Sequence, residues 1–155
     1  MAKINFLKGD ATRPVGEGNK IICHICNDIG AWGAGFVLAV SKRWSEPEES
    51  YRAMKPKERV LGKTMIVPVE DDISVANMIA QRGVHNSPDG QPPIRYGAVR
   101  ACLAAVNDVA FRTGATLHMP RIGCGLAGGK WSDIEKIIHE VATVDVYVYD
   151  FDSKQ

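Results

Sequence analysis

The chain has 155 residues, 45% of them hydrophobic, and its 19 lysines and arginines against 18 acids leave a formal charge of +1. That length suits one domain, residues 1–155, able to bury roughly 68–70% of its unfolded surface without staples. The charge balance excludes a binder driven by a broad basic surface, and no run approaches the roughly 20 apolar residues of a membrane helix, so no membrane partner is expected.

In chain order, residues 3–10 (KINFLKGD) alternate apolar and polar and end in Gly-Asp, which predicts a strand running into a turn. Residues 20–27 (KIICHICN) are almost continuously apolar, as in a central strand buried on both faces. A CxxC lies inside this run, Cys23 and Cys26, but alternation sends its members to opposite faces, so both read as small buried residues. His24 between them reads as a packed strand histidine. The glycine-rich stretch DIGAWGAG (28–35) follows, then a short helix over 36–44 with Phe36, Ala39, Val40 and Arg43 on one face. A second helix starts around Pro47, a good first-turn residue.

Residues 62–70 and 73–81 predict two strands around a turn at Asp71-Asp72. Residues 82–93 form a loop rich in proline and glycine. Residues 94–114 carry apolar positions at helical spacing, and Gly114 supplies the stop. A strand over 115–122, a second glycine-rich stretch, a helix over 132–142 and a strand over 144–151 complete the chain. The second half alternates strand and helix, which predicts a largely parallel sheet whose ligand sits beyond the strands' carboxyl ends. The first twenty residues hold no apolar signal core, and free thiols fit a reducing cytoplasm, the expected location.

Both glycine-rich stretches leave a buried strand and enter a helix, so both should open at one edge of the sheet. Glycine lets a ligand approach the backbone closely, and free N–H groups at a helix start favour an anion. Neither stretch is a dinucleotide fingerprint or a P-loop. As a facing pair they suit a diphosphate. Trp32, inside the first turn, reads as a ligand wall rather than as core.

Taken in order, KGDAT, the strand ending in Asn27, GAWGAGFVLAV, MPRIGCGLAGGKW and VYVYDF resemble the macrodomain family. The likeness spans residues 3–151. It is strongest to the branch with the terminal ADP-ribose protein glycohydrolase type and the bacterial ADP-ribose 1″-phosphate processing proteins. The resemblance implies a three-layer α/β/α fold with a mixed, largely parallel sheet of about six strands. It implies ADP-ribose, free or on a modified protein or nucleic acid, as the partner; with no exposed apolar stripe and no residues resembling a divalent site, a monomer with no cofactor and no metal is expected.

By that resemblance Asp10 would accept from the adenine amino group, helped by the Ala11 amide. Gly33, Ala34, Gly35 and Phe36 would line one side of the diphosphate. Pro120, Arg121 and Ile122 would lead into the other side, made by Gly123, Cys124, Gly125 and Leu126. Asn27 and Trp32 would border the distal ribose, and Tyr149 and Phe151 would flank the adenine. The glycohydrolase type uses a lysine nucleophile and an aspartate, where this chain has Gln81 and Ala127. Glutamine cannot form a Schiff base, so the covalent lysine route is not expected. Water attack, oriented by Gln81 and Asn27 with Arg82 or His85 from the loop, is the catalytic expectation. The chemistry expected is removal of mono-ADP-ribose from acidic side chains. The alternatives are a phosphatase on ADP-ribose 1″-phosphate and a non-catalytic reader of ADP-ribose.

Overall fold

The apolar runs of the sequence form the centre of a six-stranded sheet in the computed structural model, which describes residues 2–151. The strands are β1 (Ile4–Lys8), β2 (Lys20–Asn27), β3 (Thr64–Glu70), β4 (Ile73–Gln81), β5 (Thr116–Met119) and β6 (Val146–Asp150). Their order is β1-β6-β5-β2-β4-β3, with every pairing parallel except β3 against β4. β3 tolerates Pro68 because it is an edge strand, where a missing donor breaks no ladder, and the β3–β4 register shifts between Pro68 and Glu70.

Helices α1 (Phe36–Arg43) and α2 (Glu46–Ala53) cover one face of the sheet, and α3 (Tyr96–Thr113) and α4 (Trp131–Val141) cover the other. β2 supplies both cores: Ile21 and Cys23 pack toward α3 and α4, Ile22 and Cys26 toward α1 and α2. The CxxC is thus split across the sheet, and all four cysteines are free. Burial pushes the Cys23 thiol up to about 12 and the Cys26 thiol further still, so neither is a nucleophile at neutral pH.

Two local expectations shift. The inward stripe of α1 is Val37 and Val40, continued by Trp44, rather than a face ending in Arg43, which reaches Glu70 instead. α3 begins at Tyr96 because Ile94 is drawn into a bridge with Gln81. Its end is as the sequence indicates: Gly114 takes the left-handed conformation, φ 70°, and its N–H bonds the Ala110 carbonyl. No helix among the described residues is long and apolar enough to cross a membrane.

Because β2 and β5 are parallel neighbours, the glycine turns that follow them emerge side by side at one sheet edge. β4 ends at the same edge and delivers Gln81 and the loop after it.

Candidate functional site

The first turn is built around Asn27, the last residue of β2. Its Oδ1 accepts the N–H groups of Ile29 and Ala31 at 3.1 and 3.0 Å, and its Nδ2 donates to the Ala31 carbonyl at 2.7 Å. The Tyr51 hydroxyl, from α2, lies 2.6 Å from the Asn27 carbonyl and 2.7 Å from Oδ1, and accepts the Gly30 N–H. Asn27 is therefore committed to folding the turn. It borders the cavity as expected, but its Oδ1 already holds three donors, so the expectation that it orients water is corrected.

From this scaffold the chain runs into α1 with no side-chain cap. Gly35 occupies the N-cap at φ 85°, which a side chain would strain, and an added Cβ would meet Leu126 Cδ1 at 3.4 Å. The N–H groups from Gly33 to Val37 have no hydrogen-bond partner among the described residues.

The second turn follows Met119. Gly123 has φ 75°, which strains any side chain, and an added Cβ would lie 2.8 Å from Ile94 Cδ1 and 3.2 Å from Ile25 Cδ1, so glycine is favoured there. The turn is tied by Gly129 N–H to Gly123 O at 2.7 Å, and by Ile94 N–H to Ala127 O at 3.1 Å. The N–H groups of Gly123, Gly125, Leu126 and Ala127 are left without partners among the described residues. Cys124 departs from expectation: its N–H reaches Arg121 O at 3.3 Å, and its half-buried side chain packs on the α3–α4 core.

Between the turns lies a cavity of about 690 Å³, well within the range of small-molecule sites of roughly 300–1,000 Å³. Gly33, Ala34, Gly35 and Phe36 form one wall; Pro120, Arg121, Ile122, Gly123, Gly125 and Leu126 form the other. Asn27, Gln81, Val84 and His85 close one end. Gln81 Nε2 donates to Gly83 O at 2.9 Å, and its Oε1 has no partner among the described residues. Exposed Arg82 does not line the cavity.

Arg121 is held rigidly at the other end. Its guanidinium makes a two-pronged pair with Asp150 at 2.7 and 3.0 Å, and lies 5.3 and 5.1 Å from the ring centres of Phe6 and Trp131. Asp10 and Ala11 follow β1 and Phe151 follows β6, so all three sit at the same sheet edge but outside the cavity lining. Asp10 Oδ1 accepts the Thr12 N–H and hydroxyl at 2.8 and 2.7 Å; its other oxygen and the Ala11 N–H have no partner among the described residues. Phe151 is exposed.

Two aromatic expectations are corrected. Trp32 is 4% exposed, packed between α1 and α2 against Tyr51, with its indole N–H donating to Ser41 Oγ at 2.7 Å. It does not line the cavity. An indole gains more by burying its ring where the N–H finds a partner than by standing in the turn. Tyr149 is likewise buried, its hydroxyl accepting Val15 N–H and paired with His118 Nδ1 at 2.7 Å. It pins the loop after β1 to the sheet and is not an open wall.

Sequence reasoning did not assign several of the lining residues to the cavity, among them His24, Cys26, Ala31 and Val84. β2 alternation puts His24 on the face of Ile22 and Cys26, where it is 1% exposed and borders the cavity. The signal was the register of a strand that ends at a glycine-rich turn.

No family model matches the chain. A solved macrodomain protein from Streptomyces coelicolor is 45% identical, covers 96% of this chain and 99% of its own, and superposes with a TM-score of 0.82. The chain belongs to the macrodomain family. Among curated proteins, a chromodomain-helicase-DNA-binding protein 1-like from Mus musculus is 32% identical over 96% of this chain. The chain spans only 18% of that protein's length. Two curated relatives that match over most of their own length are less similar. An ADP-ribose 1″-phosphate phosphatase from Candida albicans is 24% identical over 94% of this chain and 98% of its own, and an ADP-ribose glycohydrolase from Bos taurus is 27% identical over 90% and 84%.

Proposed function

We propose that the protein binds ADP-ribose in this cavity and hydrolyses mono-ADP-ribose from acidic side chains, as a monomer and without a lysine adduct. The observation that carries the reading is the pair of unpartnered N–H sets, Gly33–Val37 on one side and Gly123, Gly125, Leu126 and Ala127 on the other, at one cavity. Oriented amides at a helix start neutralise a diphosphate without a lysine, and none lines this cavity. The free Asp10 oxygen and the Ala11 N–H form an acceptor and a donor side by side, which the adenine amino group and ring nitrogen complement. Phe151 would lie against the base. The distal ribose then falls at the end closed by Gln81 and His85.

In an ADP-ribosyl ester the leaving group is a carboxylate, which departs without a general acid. A cavity lined by no aspartate, glutamate or lysine suits that substrate. Gln81 Oε1 would orient the water, with rate gained mainly from proximity. A second reading, phosphate release from ADP-ribose 1″-phosphate, has the whole-length phosphatase relative in its favour. It is disfavoured by the absence of a second cation beside Arg121 in the lining.

The test is incubation with an ADP-ribosyltransferase auto-modified on glutamate, followed by chromatography of released ADP-ribose. Phosphate release from ADP-ribose 1″-phosphate is measured in parallel. The expected result is ADP-ribose release, weakened by Gln81→Ala. Tight ADP-ribose binding with turnover of neither substrate would overturn the enzymatic reading and leave a reader module.

A further inference from the structure

The Gln81 side chain can offer a ligand one polar atom. Its Nε2 is committed to Gly83 O at 2.9 Å, so what remains is Oε1, which has no partner among the described residues. Where Oε1 sits therefore depends on where Gly83 holds its carbonyl. Glycine has the widest backbone freedom of any residue, and Gly83 stands in the left-handed region at φ 64°. Apart from the Gln81 side chain, one hydrogen bond among the described residues holds Gly83: its N–H donates to Asp28 Oδ1 at 2.8 Å.

Asp28 follows β2 directly, and its own N–H donates to Gln81 O at 3.0 Å. The bonds thus close a ring, from Asp28 to Gln81, from Gln81 to Gly83, and from Gly83 back to Asp28. An aspartate at a turn ordinarily bonds its own backbone two residues on. Asn27 does that work here by accepting the Ile29 N–H, and Asp28 reaches across 55 residues of chain instead. The ground on either side of the ring is fixed. Arg82 N–H bonds Pro93 O at 2.9 Å, and Ile94 bridges Gln81. Asp28 is half-buried and does not line the cavity, so it can serve a ligand only through Gly83 and Gln81.

We propose that Asp28 is a positioning residue: through Gly83 it fixes the carbonyl that holds the Gln81 amide, and so sets Oε1 against the water at the distal ribose. This rests on the hydrolase reading above, in which Gln81 orients that water. A glutamine side chain turns about several bonds, and rate gained from proximity is lost when the orienting group strays; a misplacement of about 1 Å can cost about 10²-fold. The Asp28 carboxylate acts as an acceptor for one N–H. Asparagine offers the same oxygen and can stand in for it; alanine cannot.

The experiment compares Asp28→Ala, Asp28→Asn, Gln81→Ala and the double variant Asp28→Ala/Gln81→Ala on a transferase auto-modified on glutamate, beside nitrogen-15 amide spectra and hydrogen exchange. Asp28→Ala should lose about 10- to 10²-fold in kcat, while KM and calorimetric affinity for ADP-ribose change less than about threefold. Asp28→Asn should stay within about threefold of the parental kcat. In the double variant the aspartate change should add less than about twofold to the loss from Gln81→Ala, because residues that act through one another are not additive. A merely structural role would multiply the two losses. The Gly83 amide should be protected from exchange in the parent. Asp28→Ala should release it and shift the Gln81 side-chain amide resonances, and Asp28→Asn should do neither.

A folded Asp28→Ala with parental kcat, losses that multiply in the double variant, or an asparagine variant as slow as the alanine one overturns the proposal. If the parent binds ADP-ribose without turnover, the hydrolase reading fails by itself. The spectra then still decide whether Asp28 holds Gln81, and spectra unchanged in Asp28→Ala remove Asp28 on its own account. Should Asp28→Ala not fold, the parent decides: a Gly83 amide that exchanges freely there breaks the link.

Discussion

Gly125→Glu isolates the anion slot from the fold. Gly125 lines the cavity, has no positive φ, and an added Cβ meets nothing within 4 Å. Gly35 would be a poorer choice, since its φ of 85° and the Leu126 contact at 3.4 Å mix backbone strain with any electrostatic effect. Replacing an unstrained glycine raises stability by about 0.4–1 kcal/mol through the unfolded chain, so Gly125→Glu should unfold at or above the parental urea midpoint. Its carboxylate would stand about 5 Å from the diphosphate, and at an effective dielectric of 20 each pair of unit charges repels by about 3 kcal/mol. One such charge weakens binding about 10²-fold, and two approach 10⁴-fold. Gly125→Ala adds a methyl without charge and should cost less than about tenfold. Calorimetry with ADP-ribose, beside urea unfolding of both variants, measures the two effects separately. A Gly125→Glu protein of parental stability that binds ADP-ribose within about threefold of the parent would refute the placement of the diphosphate between these turns.

Trp32→Phe removes the indole N–H that bonds Ser41 Oγ and part of a buried ring, so it should cost about 1–3 kcal/mol of stability while leaving ADP-ribose affinity unchanged. Lost affinity at parental stability would return Trp32 to the ligand wall. Stability should also fall on mild acidification. Burial lowers both His24 and His118 to about 4, against an ordinary 6.5, so the unfolded chain binds protons first. The stabilisation is complete above pH 6.5 and lost progressively as pH falls toward 4, by about 3 kcal/mol per histidine at most. Urea midpoints across pH 4–8 should show this slope, and His24→Phe should remove about half of it; a flat profile would show that the histidines titrate normally.

How far the sequence could be read differs between backbone and side chains. β2 was legible to the residue because a strand buried on both faces must be apolar at nearly every position, and Asn27 marks its end. The glycine turns were legible because positions such as Gly123, at φ 75°, strain any side chain. What stayed hidden were side-chain partners made by distant elements. Trp32 looked outward until Ser41 of α1 and Tyr51 of α2 supplied its pocket. Asn27 looked like a free amide until Tyr51, 24 residues on, saturated its oxygen. Tyr149 lost its ligand role to a hydroxyl bond with Val15, 134 residues away in the chain. Periodicity reports which face a residue occupies, not which polar group waits there.

The first turn also explains why ligand and stability should be linked. α1 starts at Gly35 without a side-chain cap, and glycine in place of a capping side chain costs only about a few tenths of a kcal/mol. Yet Asn27 and Tyr51 fix the backbone just before it through a dense set of hydrogen bonds. Rigid support with an empty cap holds the Gly33–Val37 N–H groups in place before any ligand arrives. Binding then orders little of the chain, so the interaction is not spent on folding the loop. On the proposed reading a bound anion would serve as the cap, and at a hundredfold excess over Kd it would add about 2.7 kcal/mol to stability. None of the four α-helices has a side-chain cap, so what sets α1 apart is that its unpartnered N–H groups belong to residues that line the cavity.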